Sequence, residues 1–353
     1  MRRTLWLGAL CLLAACSDGF SLFGDSNMTL AARAKIEHAF DGGQPLCFGR
    51  FVVNVPKGTK VGFGLSSGAG IGADLMDWPV KELDARIAKM ADELRHTEHK
   101  TELGGLLRHI EHDPVTGAWI LAHRGWAENV WGYYVPAYVP VGNQVYELAG
   151  GVDVGGGSYE SEVARVRAAA RRFHPRGLWE IPKGPGFCAE DLFIADDGTP
   201  GQEIVQIGLV FPQWPDIQVS ITLNRDADPE QYFGEDLLTR MHKMEYANEQ
   251  IAPELHDLAN SVKVLRKGKA ELGNWKGQEW LATMAPVRAH EFKFEAPHEP
   301  GNPLKPNFNL ELFSGLKDGE RWAVKPTLSD EEVVALYEHL MKHIVPREGA
   351  AAR

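Results

Sequence analysis

LLRHIEHDPVTGAWILAHR, residues 106–124, is the stretch that decides the fold class of this chain. Two segments predicted as strands, at 106–112 and 118–124, flank the turn DPVTG at 113–117. Proline and glycine between two such segments are typical of a β-hairpin. Because strands joined by a short turn run antiparallel, the sheet around this stretch is predicted to be antiparallel.

The same order of elements is predicted twice along the chain: two strands, a helix, several antiparallel strands and a closing helix. A helix is predicted at 81–96 and at 235–249, because apolar residues recur there every three or four positions. The last helix is predicted to begin with the capping box SDEE, Ser329 to Glu332. This plan predicts an α+β fold of two similar domains, each an antiparallel sheet with helices packed on one face. Two independent α+β domains with the same order of elements are the alternative.

Local patterns give the remaining elements. Phe51, Val53 and Val55 alternate with Val52 and Asn54, which indicates a strand. Short helices are predicted around 30–40 and from Ser158, as N-cap, to 173. Further strands are predicted at 60–65, 131–139, 144–152, 203–210, 217–223, 263–272, 275–284, 289–296 and 307–314.

Proline and glycine divide the chain into segments. They are dense between 174 and 186, a composition typical of a linker between domains. The predicted organisation is a lipoprotein signal peptide at 1–15, a tether at 16–43, an N-terminal domain at 44–175, a linker at 176–186 and a C-terminal domain at 187–347.

The first sixteen residues have the composition of an export signal. Arg2 and Arg3 precede an apolar run that is too short to span a bilayer of about 30 Å, so the run is interpreted as a signal that is removed. The ending Leu13-Ala-Ala-Cys16 resembles the bacterial lipoprotein box, which implies that Cys16 is acylated. An ordinary signal peptide with a chance cysteine is the alternative. Because Ser17 and not aspartate follows, we expect a periplasmic protein anchored by lipid to the outer membrane.

The net charge of the chain limits the classes of partner that it can bind. Its 37 basic and 48 acidic residues give a net charge of −11, and loss of residues 1–15 would bring it to about −13. An acidic surface argues against a nucleic-acid partner and against lying flat on anionic lipid. A hydrophobic share of 44% and ten tryptophans exclude a mainly disordered chain. We therefore expect a protein partner, and membrane contact only through the lipid anchor.

Two cysteines remain after Cys16, and both are predicted to lie outside the cytoplasm. In an oxidising compartment Cys47 and Cys188 are candidates for a disulfide, with two separately buried thiols as the alternative. The bond would close a loop of about 140 residues and contribute about 4–5 kcal/mol. It would also lock the two halves, which a hinge at 175–186 would otherwise let move.

One stretch has the spacing of a catalytic motif. Gly64-Leu-Ser66-Ser-Gly68 matches G-x-S-x-G, the nucleophile elbow of α/β-hydrolases. The elbow requires a helix after the serine, but the residues at 69–73 are too rich in glycine to begin one. Ser66 is therefore interpreted as part of a flexible loop, and an esterase using Ser66 is kept as an alternative function.

No metal ion and no cofactor is expected. The glycines at 68–72 lack the spacing of a phosphate loop, and the run at 155–157 is interpreted as a plain connector before a helix. Residues three apart on a strand point to opposite faces, which is unfavourable for shared metal ligation. That argument applies to His109 and His112, whereas His96 and His99 are predicted at the end of a helix, and all four are interpreted as surface histidines.

Four residues are candidate partner contacts. Trp78 and Trp214 each lie beside a proline, and a tryptophan exposed on a loop is a typical anchor for a protein partner. Packing in the core is the alternative for both. Asp196 and Asp197 precede Gly198 in a predicted turn, where their carboxylates would be accessible.

Two short motifs carry a resemblance to a known family. CFGRFVVNVP at 47–56 and the later Gly186-Phe-Cys188, together with the lipoprotein box, resemble the immunity proteins that neutralise type VI secretion lipase effectors. The similarity covers roughly 44–347. It implies an antitoxin without catalytic residues whose two domains grip a secreted phospholipase in the periplasm and block substrate access. An envelope lipoprotein that binds another partner is the second alternative.

Overall fold

The computed structural model describes residues 30–68, 71–153, 157–198, 201–225, 234–249, 262–316 and 324–351. The predicted signal peptide, Cys16 and the glycines at 155–156 lie outside these residues. Five helices are described: α1 Leu30–Phe40, α2 Leu83–His96, α3 Tyr159–Ala170, α4 Leu237–Glu249 and α5 Asp330–His343. None of the five is long and apolar enough to cross a membrane.

Twenty strands are described. In the first half they are β1 Gln44–Phe48, β2 Phe51–Val55, β3 Lys60–Gly68, β4 Ile71–Met76, β5 Leu107–His112, β6 Trp119–His123, β7 Gly132–Tyr134, β8 Ala137–Val141, β9 Gln144–Leu148 and β10 Gly151–Asp153. Then come β11 Phe173–Pro175, β12 Gly186–Cys188, β13 Leu192–Ala195, β14 Glu203–Phe211, β15 Trp214–Arg225, β16 Val262–Leu272, β17 Trp275–Met284, β18 Ala289–Ala296, β19 Asn307–Phe313 and β20 Val345–Pro346.

One large antiparallel sheet organises the molecule. Its thirteen strands in order are β10-β7-β6-β8-β9-β4-β3-β14-β15-β19-β18-β17-β16, and β5 adds a fourteenth through β6. Two smaller sheets, β1-β2-β20 and β11-β13-β12, lie outside it. The predicted hairpin around 113–117 is confirmed, since β5 and β6 pair antiparallel. The α+β fold with antiparallel sheets is therefore confirmed as well.

The sheet runs without interruption from the first half of the chain into the second. β3 pairs with β14, so that Phe63 lies opposite Ile207 and Val61 opposite Leu209. One cluster of buried apolar residues likewise contains Phe48 and Phe308, which come from different halves. The two halves thus share both a β-ladder and a core.

Two of the strands predicted as single are each divided in the structure. The predicted strand at 131–139 becomes β7 and β8, separated by Val135 and Pro136. Proline has no N–H to donate to a ladder, so a strand commonly ends beside it. The strand at 144–152 becomes β9 and β10, divided at Gly150. A Cβ at Gly150 would lie only 2.4 Å from the carbonyl oxygen of Val135, so only glycine fits this crossing.

α5 packs against α1 and against strands β2 and β16. It begins with the predicted capping box, in which Ser329 accepts from the Glu332 N–H and Glu332 accepts from the Ser329 N–H. Its Tyr337 is fully buried against Phe292, at a ring-centroid distance of 5.9 Å. Full burial of such a side chain contributes about 1.5–3 kcal/mol. These contacts fix the helix on the sheet.

α3 is attached to the β5–β6 hairpin by ion pairs. Arg171 donates to both carboxylate oxygens of Asp113, at 3.3 and 3.1 Å, and Arg167 donates to Glu111 at 2.7 Å. The hydrogen bond from Arg171, aided by Thr116 and the Val115 N–H, outweighs burial and lowers the pKa of Asp113 to about 2. The carboxylate is therefore charged at every physiological pH and holds the turn to the helix.

A disulfide lies at the junction of the two halves. Cys47 on β1 and Cys188 on β12 are joined, with their Cα atoms 5.9 Å apart and their positions 141 apart in the sequence. The backbones of Gly49 and Cys188 exchange two hydrogen bonds of 2.7 Å beside it. The junction therefore combines a covalent and a backbone connection.

A buried, ion-paired arginine follows Gly49 at this junction. The guanidinium of Arg50 donates to Glu203 at 2.8 and 2.5 Å and lies 2.9 Å from Asp196. Arg50 and Glu203 are both buried. A buried guanidinium needs such partners because its desolvation is otherwise very costly. We call Arg50, Asp196 and Glu203 the junction ion cluster.

Two further arginines fasten the segment predicted as a linker. Arg347 donates to the carbonyl oxygens of Pro182 and Gly184 at 2.7 and 2.8 Å. Arg176 donates to the carbonyl oxygens of Cys47 and Ala189 at 3.1 and 2.8 Å. Each of these charged hydrogen bonds is worth about 1.5–3 kcal/mol. The segment is thereby held against both halves.

Candidate partner-binding surface

The G-x-S-x-G motif lies within a strand. Ser66 belongs to β3 and lies opposite Val205 of β14, and its buried Oγ has no hydrogen-bond partner among the described residues. The prediction of a flexible loop at Ser66 was wrong, because pairing with β14 extends the strand through the glycines. A Cβ at Gly68 would lie 2.7 Å from the ring of Phe187, so this glycine allows close packing at the junction. Ser66 does not lie on the strand-to-helix turn that an elbow requires.

The candidate histidines do not form a ligand set. Within the described ranges, no three side chains of His, Cys, Asp or Glu are grouped so that they could hold a metal ion. His109 pairs with Glu111 at 3.1 Å, and His112 packs against Trp119 at a centroid distance of 4.9 Å. His96 lies exposed at the end of α2, whereas His99 is buried.

The two tryptophans proposed as partner contacts differ in exposure. Trp214 is only 5% exposed and packs edge-on against Phe211 in the core, so its side chain offers no surface to a partner. This corrects the prediction for Trp214, since the proline beside it does not bring it to the surface. Trp78 is half-buried, stacked on Tyr138 at 5.1 Å and covered by the guanidinium of Arg86 at 5.4 Å.

The two candidate aspartates are both paired within the chain. Asp196 belongs to the junction ion cluster, and its side chain is largely buried. Burial would raise its pKa, but the Gly198 N–H and Arg50 outweigh burial and hold the pKa below its ordinary value. Asp197 is more exposed and lies 3.0 Å from Arg172. Asp196 therefore stabilises the junction, and a partner contact at Asp197 stays a prediction.

Among the described residues, the exposed aromatic side chains lie elsewhere in the N-terminal half. Trp126, Trp131 and Tyr134 are 54%, 75% and 55% exposed, and we call these three residues the aromatic patch. They border a groove of about 460 Å³ whose other wall is formed by residues 149–153 around β10. Contiguous exposed apolar surface of this kind is typical of interaction sites in monomeric proteins.

A buried histidine fixes the loop that carries the tryptophans. His99 Nδ1 accepts from the Glu102 N–H at 3.0 Å, so Nε2 carries the proton and donates to the Asn129 carbonyl at 2.9 Å. Asn129 is itself buried, and its Oδ1 accepts from the Trp131 N–H at 3.0 Å. The Lys100 N–H adds a bond of 2.8 Å to the Ala127 carbonyl. The exposed loop is thus held from below by buried polar groups.

Arg124 fixes the strand that follows this loop. Its guanidinium lies 3.9 Å from the ring centre of Tyr133 and donates to the Gly132 carbonyl at 2.9 Å. Successive side chains on a strand point to opposite faces. Tyr133 accordingly packs against Tyr159 at 5.2 Å, and Tyr134 is exposed and stacked on His123 at 6.0 Å.

Sequence reasoning missed the aromatic patch. The signal was present as RGWAENVWGYY at 124–134, which holds four aromatic residues among eleven, interleaved with glycine and asparagine. Neighbouring proline was the wrong criterion for an exposed tryptophan. The local density of aromatics in a turn-forming stretch would have been a better one.

Comparisons with known proteins agree with this architecture. Residues 180–349 match the family described as the Tle cognate immunity protein 4 C-terminal domain. The apo structure of the immunity protein TplEi of the type VI secretion system from Pseudomonas aeruginosa is 25% identical, with a TM-score of 0.69 over 88% of this chain and 98% of that chain. A chain of the Tle4–Tli4 complex gives 25% identity and a TM-score of 0.69 over 88% and 99%. TplEi complexed with "L" peptide, at 24% identity and a TM-score of 0.65, shows the same fold. No curated protein matches the chain.

Proposed function

We propose that this chain, as a member of the family of immunity proteins against type VI secretion lipase effectors, protects its producer by binding and inhibiting one phospholipase effector in the periplasm. The observation that carries this proposal is the fold similarity over nearly the full length of two solved immunity-protein chains. The Tle4–Tli4 structure is described as a complex, and we extend the same mode of action, a direct protein complex, to this chain.

The inhibitor acts by binding and not by turnover. This part of the proposal is supported by the position of Ser66 inside β3, where its hydroxyl is buried and accepts or donates no hydrogen bond within the described part of the chain. An effector that damages membranes at low occupancy must be bound with a dissociation constant near 1 nM, about −12 kcal/mol. Such affinity calls for about 800 Å² of surface from each partner.

Mixing the protein with its cognate effector should abolish phospholipid hydrolysis at a ratio close to one to one. The measurement is release of fatty acid from phospholipid vesicles at increasing inhibitor concentration, with an unrelated phospholipase as the control that stays active. Undiminished hydrolysis at a tenfold excess of the protein would contradict the proposal. It would favour an envelope lipoprotein with a different partner.

We also propose that Cys16 carries the lipid that tethers the protein to the outer membrane. Support comes from the sequence Leu13-Ala-Ala-Cys16 after a short apolar run with a basic start. A single acyl chain binds membranes weakly, so stable anchoring requires the several chains of a fully modified cysteine.

Cells grown with labelled palmitate should incorporate the label into the wild-type protein and not into Cys16→Ser. We expect the wild type in the outer-membrane fraction and the variant outside that fraction. Fractionation with immunoblotting measures the distribution, and Cys11→Ser is the matched control that keeps the label. An unlabelled wild type in the cytosol would refute the anchor.

A further inference from the structure

We infer that the aromatic patch of Trp126, Trp131 and Tyr134 docks on the apolar rim of the lipid-entry site of the lipase effector. This inference rests on the proposed function and adds to it the surface of this chain and the chemistry of the partner surface. It concerns the N-terminal half, whereas the matching family model covers residues 180–349.

The exposed area of the patch suits the centre of a protein interface. A fully covered aromatic side chain buries about 150–250 Å². Because the three rings are each more than half exposed, together they offer about 300–400 Å². That is roughly half of the 800 Å² that one partner contributes to a standard interface. The patch thus has the size expected for the apolar centre of an interface, which polar residues around it would complete.

The patch is ordered before a partner arrives. His99 and Asn129 are buried polar residues whose hydrogen bonds support the loop that carries both tryptophans. Burying polar groups is unfavourable unless they are hydrogen-bonded, and a solvent-exposed loop does not by itself require such support. A surface fixed in this way loses little conformational entropy on binding, which favours tight association.

The chemistry of the patch selects the kind of partner. A lipase takes acyl chains out of a membrane, so the entrance to its active site must present apolar side chains that aromatic rings can cover. The groove beside the patch also carries the exposed carboxylate of Asp153, and the whole chain has a net charge of −11. This charge disfavours an anionic lipid surface and a second copy of the same chain as occupants.

The test compares Trp131→Ser and the double variant Trp126→Ser with Trp131→Ser against Val115→Ser. Val115 is 73% exposed in the turn at the other end of the β5–β6 hairpin and is the matched control. Affinity for the cognate effector should fall at least about 30-fold for the single variant and about 100- to 1,000-fold for the double variant. Val115→Ser should bind as the wild type does. All three should keep their melting temperature, because the replaced side chains are exposed.

The outcomes separate the inference from the proposed function. If the wild type inhibits the effector and the double variant does so equally well, the inference is overturned and the proposed function stands. If the wild type fails to inhibit, both are overturned. Binding of the unacylated wild type to vesicles of phosphatidylethanolamine and phosphatidylglycerol, lost in the double variant, would assign the patch to a membrane. Dimerisation lost in the double variant, measured by sedimentation, would assign it to a second copy. Either result overturns the inference.

Discussion

Replacing both Cys47 and Cys188 by serine should lower the free energy of unfolding by about 4–5 kcal/mol. The bond joins residues 141 apart in the sequence, so its loss frees a long loop in the unfolded chain. Urea denaturation of the wild type and the double variant, followed by tryptophan fluorescence, measures the difference. Reduction of the wild type should reproduce the loss and leave the variant unchanged. A difference below about 1 kcal/mol would contradict the prediction and show that the other contacts at the junction stabilise the fold without the disulfide.

The second large effect is expected at Arg50. Changing Arg50→Met should destabilise the protein by about 3–5 kcal/mol, because it breaks the buried pairs with Glu203 and Asp196 and leaves Glu203 with the longer contact to Arg225, at 3.4 Å. Arg86→Met is the matched control, since its pair with Glu82 is exposed and its loss should cost less than about 1 kcal/mol. Urea denaturation of both variants measures the two effects. Equal effects would contradict the importance assigned to the junction ion cluster.

The same variant should change the pH dependence of stability. The pKa of Asp196 is lowered in the folded protein, so its pairing stabilises the wild type above the ordinary pKa of 3.8 and is lost as the pH falls through the folded pKa. In Arg50→Met this acid-dependent loss should shrink, because the main cation beside Asp196 is gone. Denaturation midpoints between pH 5 and pH 3 would show it.

Features whose signal lies within a few residues were predictable from the sequence. The turn at 113–117 and the capping box at Ser329 both depend on neighbouring side chains, and both are present in the structure. The hydrogen bonds of such a unit join residues only a few positions apart, so the local sequence determines them. These local signals were sufficient to predict the antiparallel α+β fold class.

Features decided by distant partners were not predictable in the same way. Ser66 lies in a strand because β14, from the other half of the chain, pairs with β3. Trp214 is buried and Trp131 exposed for the same kind of reason, since burial depends on which elements come to lie over a side chain. Tryptophan is compatible with both environments, so its identity alone does not decide between them.

The ladder between β3 and β14 has a consequence for the way this protein unfolds. Backbone bonds that span both halves mean that opening one half exposes an unpaired strand edge of the other. We therefore expect the two halves to unfold together in one cooperative transition and not at two separate melting temperatures. Cooperative unfolding would leave the cell no partly folded protein that still binds the effector without inhibiting it.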